Sequence, residues 1–165
     1  MWYAILGAVL LAGDQILKYW VVTHLAVGES APFLPGFMQL TRLHNYGAAW
    51  SSFSGRTVLL VVFTAVLLAV VALLLLKKVV RHWTGITACT LILSGGIGNI
   101  IDRIVHGYVV DMFDLQLFSY PVFNLADCCV VVGAILGGVY YLFLYDKYDK
   151  KKKESDHAHD PSDPS

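Results

Sequence analysis

Four long apolar stretches, separated by polar and charged segments, set the pattern of this chain. The clearest covers residues 58–76 without a charge, enough helix to cross a hydrocarbon core of about 30 Å. Residues 125–145 are nearly as apolar and carry Tyr140, Tyr141 and Tyr145 near their end, where an aromatic belt belongs. Two further stretches are interrupted: 2–22 contains Asp14, Gln15 and Lys18, and 84–104 contains Asn99 and ends in Asp102–Arg103. The pattern predicts an all-α membrane protein of four transmembrane helices. Between the first two, residues 23–57 are too long for a simple connector. Phe33, Leu34, Phe37, Met38, Leu40 and Leu43 alternate there with Gly and Pro turns, which predicts a small β-element on the membrane surface. The third connection, 105–124, is expected to be a short loop, and no internal repeat is visible.

Composition agrees with the pattern. The chain is 57% hydrophobic and 15% charged, whereas a soluble domain carries about a quarter charged residues. A formal net charge of zero hides an asymmetry, because basic residues gather at Lys77, Lys78 and Arg81 and again from Lys147 to Lys153. No basic folded face is available for nucleic acid. Lys and Arg mark cytoplasmic connections, so the 77–83 connection, the tail and the N-terminus are expected inside, and loops 23–57 and 105–124 outside. The first span lacks a basic leading region and is broken by Asp14 and Lys18, so it is expected to be retained rather than cleaved as a signal. The expected organisation is one membrane domain, 1–146, and a tail, 147–165, basic and then disordered. Cys89, Cys128 and Cys129 fall within spans three and four and read as small packing residues, not a disulfide framework.

The chemistry lies in the interruptions. Asp14, Asp102, Asp111 and Asp127 sit at or inside the ends of the spans. An ionisable group there costs about 2.5–3.5 kcal/mol on insertion scales, and function is the default reason for keeping one. Asp14 and Lys18 are one helical turn apart, about 20 Å along the first span, and form either a self-satisfied pair that docks the helix or a contact with substrate or catalytic groups. Asn99, Asp102 and Arg103 share a helix face, while Gly95, Gly96 and Gly98 permit close approach. No strand or GxGxxG accompanies those glycines, so a dinucleotide site is excluded. Asp102 and Arg103 read as scaffold for the outer loops. Asn45 and Gly47, in NYGAAWS, could bond an extended peptide or form a turn. In FNLAD, Asn124 and Asp127 resemble a capping box, and the helix start favours a carboxylate. In VVDMFD, Asp111 lies among Val109, Val110, Met112 and Phe113, which are expected to dip into the membrane interface and favour the neutral acid. Asp114 is a weaker candidate. Two carboxylates able to meet, Asp111 and Asp127, suggest a dyad that shares one proton. No HExxH or Cys/His spacing suggests a metal, and no cofactor is expected.

Taken in order, DQxxK, NxGAA, GNxxDR, VVDxxD and FNxAD, from Asp14 to Asp127, resemble the motif series of bacterial lipoprotein signal peptidase, or signal peptidase II. The resemblance implies an inner-membrane aspartic endopeptidase whose active site faces the periplasm. It implies removal of signal peptides from prolipoproteins, cutting before a diacylglyceryl-modified Cys. The catalytic pair carries onto Asp111 and Asp127, and the supporting polar set onto Asp14, Lys18, Asn45, Gly47, Asn99, Asp102, Arg103 and Asn124. The expected partners are lipid-modified prolipoproteins and membrane lipids, without nucleic acid, and the chain is expected to act as a monomer. Trp50 and Met112 stand where the family usually has Phe, a departure that bears on substrate fit rather than catalysis. Two other classes compete: a proton-coupled transporter, disfavoured by acids at the outer edge instead of the midplane, and an assembly subunit using polar residues as helix glue.

Overall fold

The computed structural model describes residues 1–47 and 55–150. Four helices form from the four apolar stretches: α1 (Trp2–His24), α2 (Thr57–Leu76), α3 (Trp83–His106) and α4 (Leu125–Phe143). Each is long and apolar enough to cross a membrane. Their ends exceed or fall short of the expected spans by one or two residues, because caps rather than hydrophobicity stop a helix. Gly107, left-handed at φ 81°, ends α3. At the end of α2, Val79 N–H donates to Leu74 O (3.0 Å) and Lys78 N–H to Leu75 O (3.0 Å), a Schellman turn with Lys78 at φ 52°.

The central element is α3. It packs against α4 most extensively and against α1 and α2 on its flanks, whereas α1 and α2 barely meet. Small residues make the α3–α4 crossing close. A side chain at Gly95 would strike the Ala126 carbonyl, and one at Gly133 would come within 2.9 Å of the Ala88 carbonyl.

The two outer connections differ from expectation in a way that matters. The β-element is a hairpin of β1 (Ser30–Leu34) and β2 (Met38–Asn45), turned at Gly36 with φ 75°. The expected short loop carrying Asp111 is instead a strand, β3 (Val109–Leu115), antiparallel to β2 with Leu43 opposite Asp111 and Asn45 opposite Val109. Its apolar residues do not dip into a membrane interface: Val109, Val110 and Met112 are buried in the protein. Val110 and Met112 pack with Val21 and Leu25 at the end of α1. Met112 is therefore a core residue between sheet and helix, and its departure from Phe concerns packing there. Arg42 ties the same corner, donating from Nη1 to the last carbonyls of α1, Val22 O (3.0 Å) and Leu25 O (2.9 Å).

At the other end, Val80, Cys89 and Tyr140 form a second core cluster. A short helical turn, Asp146–Lys150, follows α4. The Asp149 carboxylate accepts from Arg81 N–H (3.0 Å), His82 N–H (3.1 Å) and the Tyr140 hydroxyl. The expected tail thus begins folded against the start of α3. Residues 151–165, and with them the expected disorder, lie outside the described residues, as do Ala48 and Trp50.

Candidate active site

Strand β3 and the start of α4 deliver two carboxylates to one place at the sheet end of the bundle. Asp111 is 1% exposed and accepts from Asn45 Nδ2 (2.9 Å) and Asn124 Nδ2 (2.7 Å). Asp127 accepts from Asn99 Nδ2 (2.8 Å) and from Asn124 N–H (3.2 Å). Asn124 accepts in turn from Asp127 N–H (2.8 Å), completing the capping box that the FNLAD spacing suggested. Capping does not exhaust this residue. Fully buried, it caps α4 with its carbonyl oxygen and binds Asp111 with its amide nitrogen, so one side chain links both acids.

A charged cluster backs the pair. Lys18 Nζ lies 2.8 Å from Asp14 Oδ2 and 2.9 Å from Asp102 Oδ2, and donates to Asn99 Oδ1 (3.1 Å). That contact orients the Asn99 amide, whose other end donates to Asp127. Asp14 and Lys18 are therefore more than a self-satisfied pair. Asp14 Oδ1 accepts Ala126 N–H (2.9 Å) in the first turn of α4, and Asp102 Oδ2 accepts Val110 N–H (3.0 Å) at the start of β3. All three charged groups are almost wholly buried, where breaking one partnership would leave an uncompensated ion. Gly98 makes room, since a Cβ there would stand 2.8 Å from Asp14 Oδ2.

Arg103 holds the remaining loop, donating from Nη2 to Gly47 O (2.9 Å) and from Nη1 to Asn99 O (3.3 Å). The Asn45 side chain donates to Asp111 and accepts from Gly47 N–H (2.9 Å), so it supports the carboxylate and closes the turn at Gly47. Asp114 stands apart, accepting from Gln39 Nε2 (2.7 Å) and Thr41 Oγ1 (3.1 Å) across the sheet. Sequence reasoning missed Gln15, which donates to Asp102 Oδ1 (3.1 Å), Asp14 Oδ2 (3.2 Å) and Gly98 O (3.3 Å). Its place between Asp14 and Lys18 was the available signal. Arg42 was also missed, because no local pattern says which helix end a strand arginine will reach.

The electrostatics follow from this setting. Burial, and then the charge of Asp127, push the Asp111 carboxyl up to about 7, against the Asn45 and Asn124 amides and the more distant Lys18. A carboxyl of that kind holds a proton near neutrality beside a second acid, an arrangement suited to general acid–base work. Among the described residues, no three His, Cys, Asp or Glu side chains converge as a metal site.

Comparison with known proteins gives this arrangement its context. The family described as signal peptidase (SPase) II matches residues 6–143. A lipoprotein signal peptidase of Enterococcus faecalis is 39% identical over 151 residues, covering 92% of this chain and 93% of that protein. Its counterpart from Clostridium acetobutylicum is 36% identical over 141 residues, covering 84% and 92%. Among solved structures, a bacterial membrane enzyme superposes with TM-score 0.80 at 29% identity over 90% of both chains. A second superposes with TM-score 0.78 at 30% identity, covering 86% of this chain and 93% of the other.

Proposed function

The chain belongs to the signal peptidase II family, a family of membrane peptidases, and on that premise we propose that it removes signal peptides from diacylglyceryl-modified prolipoproteins through an Asp111–Asp127 dyad. The observation that carries the aspartic mechanism is Asn124, which binds one acid and caps the helix that begins with the other. Asp111, protonated near neutrality, donates its proton in a hydrogen bond to the scissile carbonyl oxygen. Asp127, at the start of α4 and accepting from two donors, takes a proton from a water that attacks the carbonyl carbon. The tetrahedral oxygen is stabilised from Asp111, and the proton gained by Asp127 passes to the departing nitrogen as the C–N bond breaks. Asn45, Asn99 and Lys18 hold the two carboxylates in place. Cleavage falls before the lipidated Cys, whose acyl chains lie between helices in the bilayer.

The orientation belongs to the same proposal. Lys77, Lys78 and Arg81 stand at the end opposite the sheet, so the positive-inside rule places that end in the cytoplasm and the carboxylates at the periplasmic face. Residues 1–146 form the peptidase body, acting as a monomer on its membrane substrate.

Cleavage of a lipidated precursor by the purified full chain in detergent tests the reading. Asp111→Asn and Asp127→Asn each keep the shape but cannot share the proton, and each is expected to abolish cleavage while membrane insertion persists. Near-normal turnover in either variant removes that residue from the dyad. A wild-type protein that leaves the precursor intact favours a transporter or assembly role.

A further inference from the structure

A second feature lies on the far side of α3. Because α1 and α2 flank α3 without packing on each other, they leave a groove of about 700 Å³ between them. Its floor is the α3 stripe Ile86, Thr90, Leu93 and Ile97, and its walls include Gly7, Ala8 and Leu75. The Thr90 hydroxyl donates to Ile86 O (2.8 Å), so the floor offers little unsatisfied polarity. By helical periodicity the stripe lies opposite Gly95, Asn99 and Asp102, which face the carboxylates and α4. From Ile86 to Ile97 the floor runs about 16 Å, roughly half of a 30 Å hydrocarbon core. It is one leaflet deep.

The mouth of the groove is basic. Lys78 and Arg81 line it, and Lys77 adjoins them. Arg81 Nε donates to the Lys78 carbonyl (2.9 Å), so the arginine braces the turn that presents Lys78. Lys78 occupies the left-handed position of the α2 Schellman turn, where glycine is the ordinary residue. A strained lysine kept at such a place is a reason to look for work done by its side chain.

We propose that this groove binds one anionic phospholipid, with an acyl chain between α1 and α2 and the phosphate at Lys78. An apolar channel one leaflet deep under a basic mouth matches a chain attached to an anionic headgroup, as basic pockets between spans do generally. The site is separate from the peptidase reading and stands or falls without it.

Native mass spectrometry of the detergent-purified full chain, with dioleoylphosphatidylglycerol or dioleoylphosphatidylcholine added at equal concentration, tests the proposal. The phosphatidylglycerol adduct is expected to exceed the phosphatidylcholine adduct by about fivefold, the effect of one basic contact at a lipid surface. Lys78→Gly suits the left-handed turn, so it folds at least as well as the native chain, and it is expected to erase that preference. Ala8→Phe fills the groove and is expected to remove both adducts, while cleavage by both variants stays at the native level. Equal retention of the two lipids by the native chain, an unchanged preference in Lys78→Gly, or adducts that survive Ala8→Phe would each overturn it. So would a dimer, in place of a lipid adduct, that Ala8→Phe dissolves.

Discussion

At the scale of single residues, Asp111 shows what a buried acid costs and provides. Its carboxyl is held up to about 7 by burial and by Asp127, so between the ordinary carboxylate range and about 7 the folded protein keeps a proton that the unfolded chain has released. Stability must then fall as pH rises through that window, with the full penalty, roughly 4 kcal/mol, present above it. Asp111→Asn removes the group. Thermal melts from pH 4 to 8 are expected to show the native protein losing stability across the window and the variant losing much less. Parallel curves would mean that Asp111 is ionised throughout. In the native enzyme the same deprotonation is expected to draw an alkaline limb in kcat/KM near pH 7, because the proposed dyad, once it has lost its shared proton, could not polarise the carbonyl.

At the scale of elements, the meeting of β3 with α4 makes the site, and Asn124 is the joint. Its two tasks can be separated. Serine caps a helix about as well as asparagine but has no amide to reach Asp111, so Asn124→Ser is expected to keep helix content and insertion while cleavage falls at least about tenfold, a single donor lost. Circular dichroism beside a cleavage assay checks this; equal activity would reduce Asn124 to a cap. The helices were legible because an uncharged run such as 58–76 leaves few alternatives in a bilayer, and Asp14, Lys18, Asn99 and Asp102 were legible because each interrupts or ends an apolar run. The strand at 109–115 was not. VVDMFD carries apolar residues on both faces and pairs with β2 more than sixty residues earlier, so nothing local separates it from a loop. For the same reason Asn124 read as a cap or a support, and only the fold shows that it is both.

At the scale of the whole molecule, the basic connection of Lys77, Lys78 and Arg81 and the Asp111–Asp127 pair sit at opposite ends, which makes orientation testable. A reporter fused after Lys78 is expected in the cytoplasm, and one inserted near Gly36 or Ser119 outside. A cytoplasmic signal at Gly36 would put the carboxylates in the wrong compartment for exported precursors. The Asp14–Lys18 contact, 2.8 Å and one turn apart within α1, has a further bearing on how such a molecule is made. A chain emerging from the ribosome delivers its first span long before α3 and α4 exist to supply Asp102, Asn99 or the Ala126 N–H. Each unpaired ion would oppose entry into lipid by about 2.5–3.5 kcal/mol, yet this helix brings its own counter-ion. Asp14→Asn should therefore lower the inserted fraction of α1 in a translocon assay of that segment alone, and Asp14→Asn with Lys18→Gln should restore it. If neither change alters insertion, the pair is needed only after assembly. Loss and rescue together would mean that the ion pair that later steadies the finished site first serves as a passport for the helix that carries it.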